Sequence, residues 1–322
     1  MSGVFRIGID ENGLGARLGP LIVTGVMARL SDVPAAFFSR RLPKRIKKDL
    51  DDSKALVSHG DVDLAEAWAR ALVGPEARDP AALVGALALE TEAELRAPCP
   101  GSVATQCWST KRESFVADAA TVSRVEGHLR ALRARGIDVI AVRSSIVCTK
   151  RLNLDKERGL NRFISDLHAM ERLSLAFRRM AKSDVEAVCG KVGSMTDYSR
   201  FFGPFGGHLH VVLEQRRARS AYKFPTFGTL SFVKDADAKD PLVMLASLVG
   251  KYVRELLMAR VARFHEPRHD GTGPSGYHDP VTSAFVERTR ISRGRRRVPE
   301  QCFERKGAVE AEPAGAFATE GA

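Results

Sequence analysis

The sequence lacks the cysteine pattern of a zinc ribbon. Its five cysteines are odd in number and irregularly spaced, and no Cys-x-x-Cys pair occurs. They are Cys99, Cys107, Cys148, Cys189 and Cys302. We therefore expect reduced thiols in a cytosolic protein. Aromatic residues make up only 7% of the chain and do not alternate with its basic runs, so stacking on single-stranded nucleic acid is not indicated.

Long apolar runs are also missing. No run reaches the roughly 18 residues that a membrane span needs, and the first residues pass directly into a predicted strand without the pattern of a secretory leader. We therefore expect a cytoplasmic protein that makes no membrane contact, and we expect it to be monomeric.

Basic residues exceed acidic ones. The 322 residues include 50 Lys and Arg against 39 Asp and Glu, which gives a net charge of +11. Such a surplus favours a polyanionic partner, nucleic acid above all, although a soluble protein can also simply be basic. Residues 288–297 contain six arginines, which suit either phosphate contacts or a solvated tail.

Hydrophobic periodicity indicates an α/β protein. Alternating or continuous apolar segments predict strands, and apolar residues at helical spacing predict helices. The predicted strands are 4–9, 21–30, 137–142, 185–189, 208–213 and 230–233, and the predicted helices include 62–73, 116–135, 161–180, 242–264 and 280–289.

Two adjacent acids end the first predicted strand. The segment 7–15 reads IGIDENGLG, in which Gly13 and Gly15 follow shortly after Asp10 and Glu11. Carboxylates at a strand end can bind a hard cation such as Mg²⁺ through oxygen. In the alternative interpretation, Asp10 caps the turn and Glu11 is solvated.

A second motif leads into the longest predicted helix. Residues 234–241 read KDADAKDP, and Pro241 suits the first turn of a helix. Lys251 and Glu255 lie four residues apart on that helix and therefore share one face. A surface ion pair is the alternative role for these two residues.

Taken in order, these segments resemble ribonuclease HII, the type 2 ribonuclease H. The matching elements are DENGLG at 10–15, Asp52-Ser53-Lys54, ADAKDP at 236–241 and LASLVGKYVRE at 245–255. The resemblance covers residues 4–58 and 140–290. It implies a ribonuclease H-like fold, with a mixed five-stranded sheet flanked by helices and a small C-terminal helical extension.

The resemblance also implies a division of the chain. A ribonuclease H-like domain would occupy residues 1–265, with a possible insertion at 75–135. A basic helical extension would follow at 266–306, and a disordered tail at 307–322.

In such enzymes four carboxylates hold two Mg²⁺ or Mn²⁺ ions for phosphodiester hydrolysis. The resemblance assigns catalysis to Asp10, Glu11, Cys189 and Glu255, and metal binding to the three acids among them. Cys189 stands where the family has an aspartate, and a neutral thiol is a poor ligand for hard cations. Glu255 stands where an aspartate is expected, and it keeps the charge with one more methylene.

Substrate contacts follow from the same resemblance. The family reads the ribonucleotide 2′-hydroxyl with a glycine turn and a tyrosine, and lysines face the substrate backbone. The corresponding residues are Gly13, Leu14, Gly15, Lys54, Lys251 and Tyr277. A half-buried ring and surface lysines are the alternatives, and Leu14 replaces an arginine of the family.

Three functions are consistent with the sequence. The first is a metal-dependent endoribonuclease that acts on RNA–DNA hybrids or on DNA with embedded ribonucleotides. The second is a catalytically impaired ribonuclease H-like protein that binds nucleic acid. The third is a resolvase- or transposase-type nuclease, against which the match at 242–255 counts.

Overall fold

The computed structural model describes residues 4–31, 42–101, 106–193, 195–268 and 273–307. Seven strands form one sheet in these parts of the chain. They are β1 (Val4–Asn12), β2 (Leu21–Leu30), β3 (Ile137–Val147), β4 (Val185–Gly190), β5 (Val211–Gln215), β6 (Arg219–Phe224) and β7 (Gly228–Val233).

The helices lie mostly between β2 and β3, between β3 and β4, and after β7. In chain order they are α1 (Lys44–Lys47), α2 (Ser53–Leu56), α3 (Asp63–Val73), α4 (Pro80–Leu87), α5 (Glu92–Arg96), α6 (Ala119–Arg133), α7 (Thr149–Glu157), α8 (Arg162–Ala181), α9 (Pro241–His265), α10 (Pro280–Arg295) and α11 (Glu300–Phe303).

The sheet has the order β3-β2-β1-β4-β7-β6-β5. β1 pairs antiparallel with β2, and β2 pairs antiparallel with β3. On its other side β1 pairs parallel with β4, which pairs parallel with β7. Because β1 and β4 run in the same direction, their carboxyl ends meet at one edge of the sheet, beside each other.

The two faces of the sheet build two cores. Odd-numbered residues of β1, such as Ile7 and Ile9, pack with the apolar side of α8. Even-numbered residues face α9, and a side chain at Gly8 would lie 2.4 Å from the backbone of Leu242. The glycine therefore lets α9 lie directly against the sheet.

The expected mixed sheet flanked by helices is confirmed, with seven strands where the resemblance implied five. The strand β6 was not predicted, because its buried face, Ser220, Tyr222 and Phe224, includes a polar residue and only two large apolar ones. The edge strand β5 begins three residues later than predicted. The predicted tail at 307–322 lies outside the described residues from 308 onward.

The C-terminal extension is helical, as expected, and packs on the body of the protein. The guanidinium of Arg305 is buried and donates to the carbonyl of Gly13 at 2.6 Å and to that of Gly19 at 2.9 Å. It thereby braces the turn between β1 and β2. The division into a domain, an insertion and an extension stays a prediction.

Candidate active site

The site lies where β1 and β4 end side by side. Ile9 is paired with Cys189, so the next residues on the two strands are Asp10 and Gly190. A Cβ atom on Gly190 would lie 2.8 Å from Asp10 Oδ1 and 3.5 Å from Glu11 Oε2. The two carboxylates therefore converge on one point at this edge of the sheet.

Both carboxylates are poorly solvated. Asp10 is only 8% exposed. Burial and then the neighbouring Glu11 raise its pKa well above the ordinary value, against a lowering hydrogen bond from the Ser247 side chain. Burial and then Asp166 raise the pKa of Glu11 to about 8. A nearby cation would favour the ionised form of both carboxylates.

Asp166, on α8, is a third acid of this site, and our sequence analysis did not single it out. Its side chain is fully buried, and neither carboxylate oxygen has a hydrogen-bond partner. Burial and then Asp10 raise its pKa. A signal for it exists in the sequence, since Asp166 shares the apolar stripe of Met170, Leu173 and Phe177 at helical spacing.

Asp237 is the fourth acid, and it comes from the KDADAKDP motif. It lies in the short turn between β7 and α9, and its carboxylate is 3.6 Å from Lys54 Nζ. Asp237 is the main cause of a raised pKa at Lys54. Sequence reasoning quoted this motif without assigning Asp237 a role, although the turn follows a strand that is parallel to β1.

Basic side chains line the same pocket as three of these acids. One pocket is lined by Asp10, Glu11 and Asp237 together with Lys54, Lys191, Arg217 and Lys234. We call it the acidic pocket. Asp235 lines it too, and we call its four basic side chains the basic rim.

The donor set fits a hard divalent cation, because Mg²⁺ and Mn²⁺ prefer carboxylate oxygens. The orphaned oxygens of Asp166 and the raised pKa values of Asp10 and Glu11 indicate uncompensated acids. Across the described parts of the chain, no three His, Cys, Asp or Glu side chains already stand at single-ion spacing. The Asp237 carboxylate is held by Lys54 instead.

Glu255 does not join this group, contrary to the grouping expected from the sequence. Ser247 is the residue of α9 that hydrogen-bonds Asp10. Glu255 lies eight residues further along the same helix, which is a rise of about 12 Å. Glu255 pairs instead with His59 Nδ1 at 2.6 Å. Its neighbour Arg254 also approaches it, at 3.4 Å.

Cys189 faces the opposite side of the sheet from Asp10. It is fully buried in the core between the sheet and α8, and burial raises its pKa well above the ordinary value. The position beside Asp10 belongs to Gly190. On β4, the residue beside Asp10 therefore carries no carboxylate.

The expected substrate-side residues fall into two groups. Gly13 takes a φ of 90°, and a side chain there would collide with Arg254. The ring of Tyr277 lies 4.3 Å from the same guanidinium, and the neighbouring Gly276 accepts hydrogen bonds from the turn at Arg17 and Leu18. The glycine turn, Arg254 and Tyr277 thus form one surface.

The other four residues predicted to contact substrate lie in different surroundings from one another. Leu14 packs against the core on the α8 face, and Gly15 has open space where a side chain would begin. Lys54 lines the acidic pocket. The ammonium of Lys251 donates to the carbonyls of Ser53 and Val57, so it joins α9 to α2. A role for Lys251 at the substrate backbone is therefore not supported.

The arginine run at 288–297 is not a solvated tail. It forms the second half of α10 and its end. Arg293 is buried against the ring of Phe303, and Arg288 pairs with Glu266. Both contacts lie within residues 266–306.

No protein-family model and no curated protein matches the chain. It is similar to solved structures of ribonucleases H. A mutant of Bst ribonuclease HIII has 12% identity and a TM-score of 0.46, over 94% of this chain and 66% of that one. Ribonuclease HII of Archaeoglobus fulgidus, in its PCNA complex, has 18% identity and a TM-score of 0.41, over 97% and 98%.

A further likeness is to ribonuclease H2 of Pyrococcus horikoshii OT3, with 14% identity and a TM-score of 0.37 over 93% of this chain and 95% of that one. The chain thus spans about two thirds of the ribonuclease HIII structure and nearly all of the other two. The mixed sheet flanked by helices agrees with the fold class expected from the sequence.

In the described parts of the chain, no helix is both long and apolar enough to cross a bilayer.

Proposed function

We propose that the protein is a divalent-cation-dependent nuclease of the ribonuclease H type, which hydrolyses phosphodiesters of an RNA strand paired with DNA. The observation that carries this proposal is the acidic pocket. In it the buried Asp10 and the partly buried Glu11 share one lining with three lysines and an arginine.

The acidic pocket combines carboxylates with basic side chains, and a bound cation explains why both are present. A polyanion is attracted by Lys54, Lys191, Arg217 and Lys234, but it is repelled by ionised acids at the centre. A cation bound by the acids removes that repulsion and itself attracts phosphate. The charge arrangement therefore supports a cation-dependent phosphate site more strongly than a simple anion site.

Asp10, Glu11 and Asp237 are the residues that would hold Mg²⁺ or Mn²⁺. When bound, the cation supplies an activated water and stabilises charge on the phosphate. The chain's own residues orient the site: Ser247 hydrogen-bonds Asp10 from α9. Lys54 keeps Asp237 at the rim. Lys191, Arg217 and Lys234 bind the phosphates on either side.

Recognition of the RNA strand is assigned to the surface of the glycine turn. A backbone without side chains at Gly13 and Gly15 permits close approach to a ribose, and Tyr277, 41% exposed, is free to contact the sugar. Arg254 holds the Tyr277 ring in place from below. DNA containing embedded ribonucleotides would be read in the same way.

The test is cleavage of an end-labelled RNA–DNA hybrid by the full chain with Mn²⁺ or Mg²⁺. We expect slow cleavage of the RNA strand that chelator abolishes, and none by Asp10→Asn. A contaminating nuclease would survive that substitution. Hybrid that stays intact at micromolar protein with either metal would overturn the proposal.

Gly190 favours a second candidate, a ribonuclease H-like protein that binds nucleic acid without cutting it. At that position the site has no third carboxylate beside Asp10. This candidate predicts salt-dependent binding of hybrid without turnover. Binding that Asp10→Asn leaves intact, with no cleavage by either protein, would favour it.

A further inference from the structure

Four of the five cysteines meet at one cavity, far from one another in the sequence. Cys99 follows α5, Cys107 lies in a short turn at Gln106–Trp108, Cys148 precedes α7, and Cys302 is in α11. All four line the same cavity of about 80 Å³. All are free thiols.

The four thiols are mutual neighbours. Cys107 interacts electrostatically with the other three, Cys148 also interacts with Cys99, and Cys302 interacts with both of these. Every one of the six pairs is therefore within interaction range. Four thiols brought together from four separate segments supply the number of thiolates that a cysteine-bound metal group uses.

We propose that this cavity, here called the thiol cavity, holds an iron–sulfur cluster ligated by Cys99, Cys107, Cys148 and Cys302. Iron–sulfur clusters are bound by four cysteine thiolates in this way. The assignment does not depend on nuclease activity, because the thiol cavity and the acidic pocket share no lining residue.

The spacing favours a cluster over a single zinc ion. Zinc bound at about 2.3 Å from each sulfur requires sulfurs about 3.8 Å apart. Among the described residues no three His, Cys, Asp or Glu side chains are gathered at the spacing of one ion. In a cluster each thiolate binds a separate iron or shares it with one other, so the sulfurs stand further apart and the cluster fills the space between them.

The surroundings also suit a cluster. Leu95, Trp108 and Leu257 give the thiol cavity an apolar wall that limits access of water. Lys150 and Arg260 line it as well. Burial raises the pKa of Cys302 to about 11 and that of Cys107 to about 12, and the two cations act against that rise. These cations offset the negative charge that thiolates bring.

A cluster there would fasten three parts of the chain together. Cys99 and Cys107 belong to the region predicted as an insertion, Cys302 belongs to the C-terminal extension, and Cys148 follows β3 of the central sheet. A hydrogen bond from the Gln106 amide to the carbonyl of Cys302, at 2.6 Å, already joins two of these parts. The expected role is therefore structural.

The test is the metal content of the full chain, purified without oxygen and reconstituted with ferrous iron and sulfide. We expect iron and acid-labile sulfide in equal amounts, with more than a single iron per chain, and a broad visible absorbance band. The double variant Cys107→Ser/Cys148→Ser should lose both. Cys189→Ala is the matched control, because Cys189 lies on the other core, and it should keep both.

Wild-type protein that binds no iron and sulfide under these conditions would overturn the proposal, as would zinc without sulfide. So would equal loss of the absorbance band in Cys189→Ala and the double variant. Because the iron and sulfide content of the wild-type chain alone supports or overturns the proposal, a variant that fails to fold does not invalidate the test.

Discussion

Placing an aspartate at position 190 should complete the acidic pocket. Gly190 has no positive φ, so any residue is compatible with its backbone. The new Cβ would lie 2.8 Å from Asp10 Oδ1, the end of a side chain that can rotate away. Gly190→Asp therefore adds a carboxylate beside Asp10 and Glu11 at the cost of a small local shift.

Whether Gly190→Asp destabilises or stabilises the folded protein depends on whether a divalent cation is bound. Two charges about 4 Å apart repel by about 1 kcal/mol in water and about 4 kcal/mol at a dielectric constant of 20. In chelator, Gly190→Asp should therefore lower the melting temperature by roughly 2–10 °C for a domain of this size. With Mn²⁺ at 100 times its Kd, binding should return about 2.7 kcal/mol.

Differential scanning fluorimetry with chelator and with Mn²⁺ measures both effects, and hybrid cleavage measured in parallel should rise above that of the wild type. Cys189→Asp is the control, since it buries a carboxylate on the α8 face and should destabilise the fold by several kcal/mol with or without metal. If Gly190→Asp gains no Mn²⁺-dependent stability, or Cys189→Asp gains as much, our placement of the site is wrong.

Three further predictions concern single side chains. Asp166→Asn should raise the free energy of unfolding by about 1 kcal/mol or more in chelator at pH 8, since it removes a buried unpaired acid. It should also reduce the rise in melting temperature that Mn²⁺ causes, and an unchanged response to Mn²⁺ would exclude Asp166 from the site. Because Glu11 has a raised pKa of about 8 in the folded protein, the folded state binds its proton more tightly, so stability in chelator should fall by on the order of a few kcal/mol as the pH rises from about 4.5 to 8. Denaturant titrations across that range should show a flatter profile for Glu11→Gln, and equal slopes would contradict the assigned cause. Tyr277→Leu removes the ring beside Arg254 and should cost about 0.5–2 kcal/mol, while binding assays should show less preference for hybrid over DNA duplex; an unaltered preference would exclude Tyr277 from recognition.

Much of the fold was predictable because hydrophobic periodicity is strong where elements are buried. The strand at Leu21–Leu30 and the long helices near 161–181 and 241–265 were predicted to within a residue or two. The strand β6 was not, since it is short and its buried face contains the polar Ser220. Local pattern alone does not report which neighbours bury such a segment.

The site was predictable where it is local and not where it depends on register. Asp10 and Glu11 are adjacent in sequence, and their position at a strand end followed from pattern. Whether Cys189 or Gly190 lies beside Asp10 depends on the face of the sheet to which each residue belongs, and the pairing of β4 with β1 determines that face. Glu255 was misplaced for a similar reason, since eight residues of helix separate it from Asp10's partner Ser247.

The cysteines show the limit most clearly. Irregular spacing along the chain excluded a zinc ribbon, and that argument holds for ligands within one short loop. Sequence spacing does not detect cysteines that come from four distant segments and meet only in the fold, as these four do at the thiol cavity.

The central claim is that Asp10 and Glu11 bind a divalent cation within the basic rim of the acidic pocket. Titration of Mn²⁺ into the full chain, followed by electron paramagnetic resonance of the free ion, tests it most directly. The account predicts saturable binding to the wild type that Asp10→Asn largely abolishes, with both proteins equally folded by circular dichroism. Equal Mn²⁺ binding by the two proteins, or none by the wild type, would contradict it.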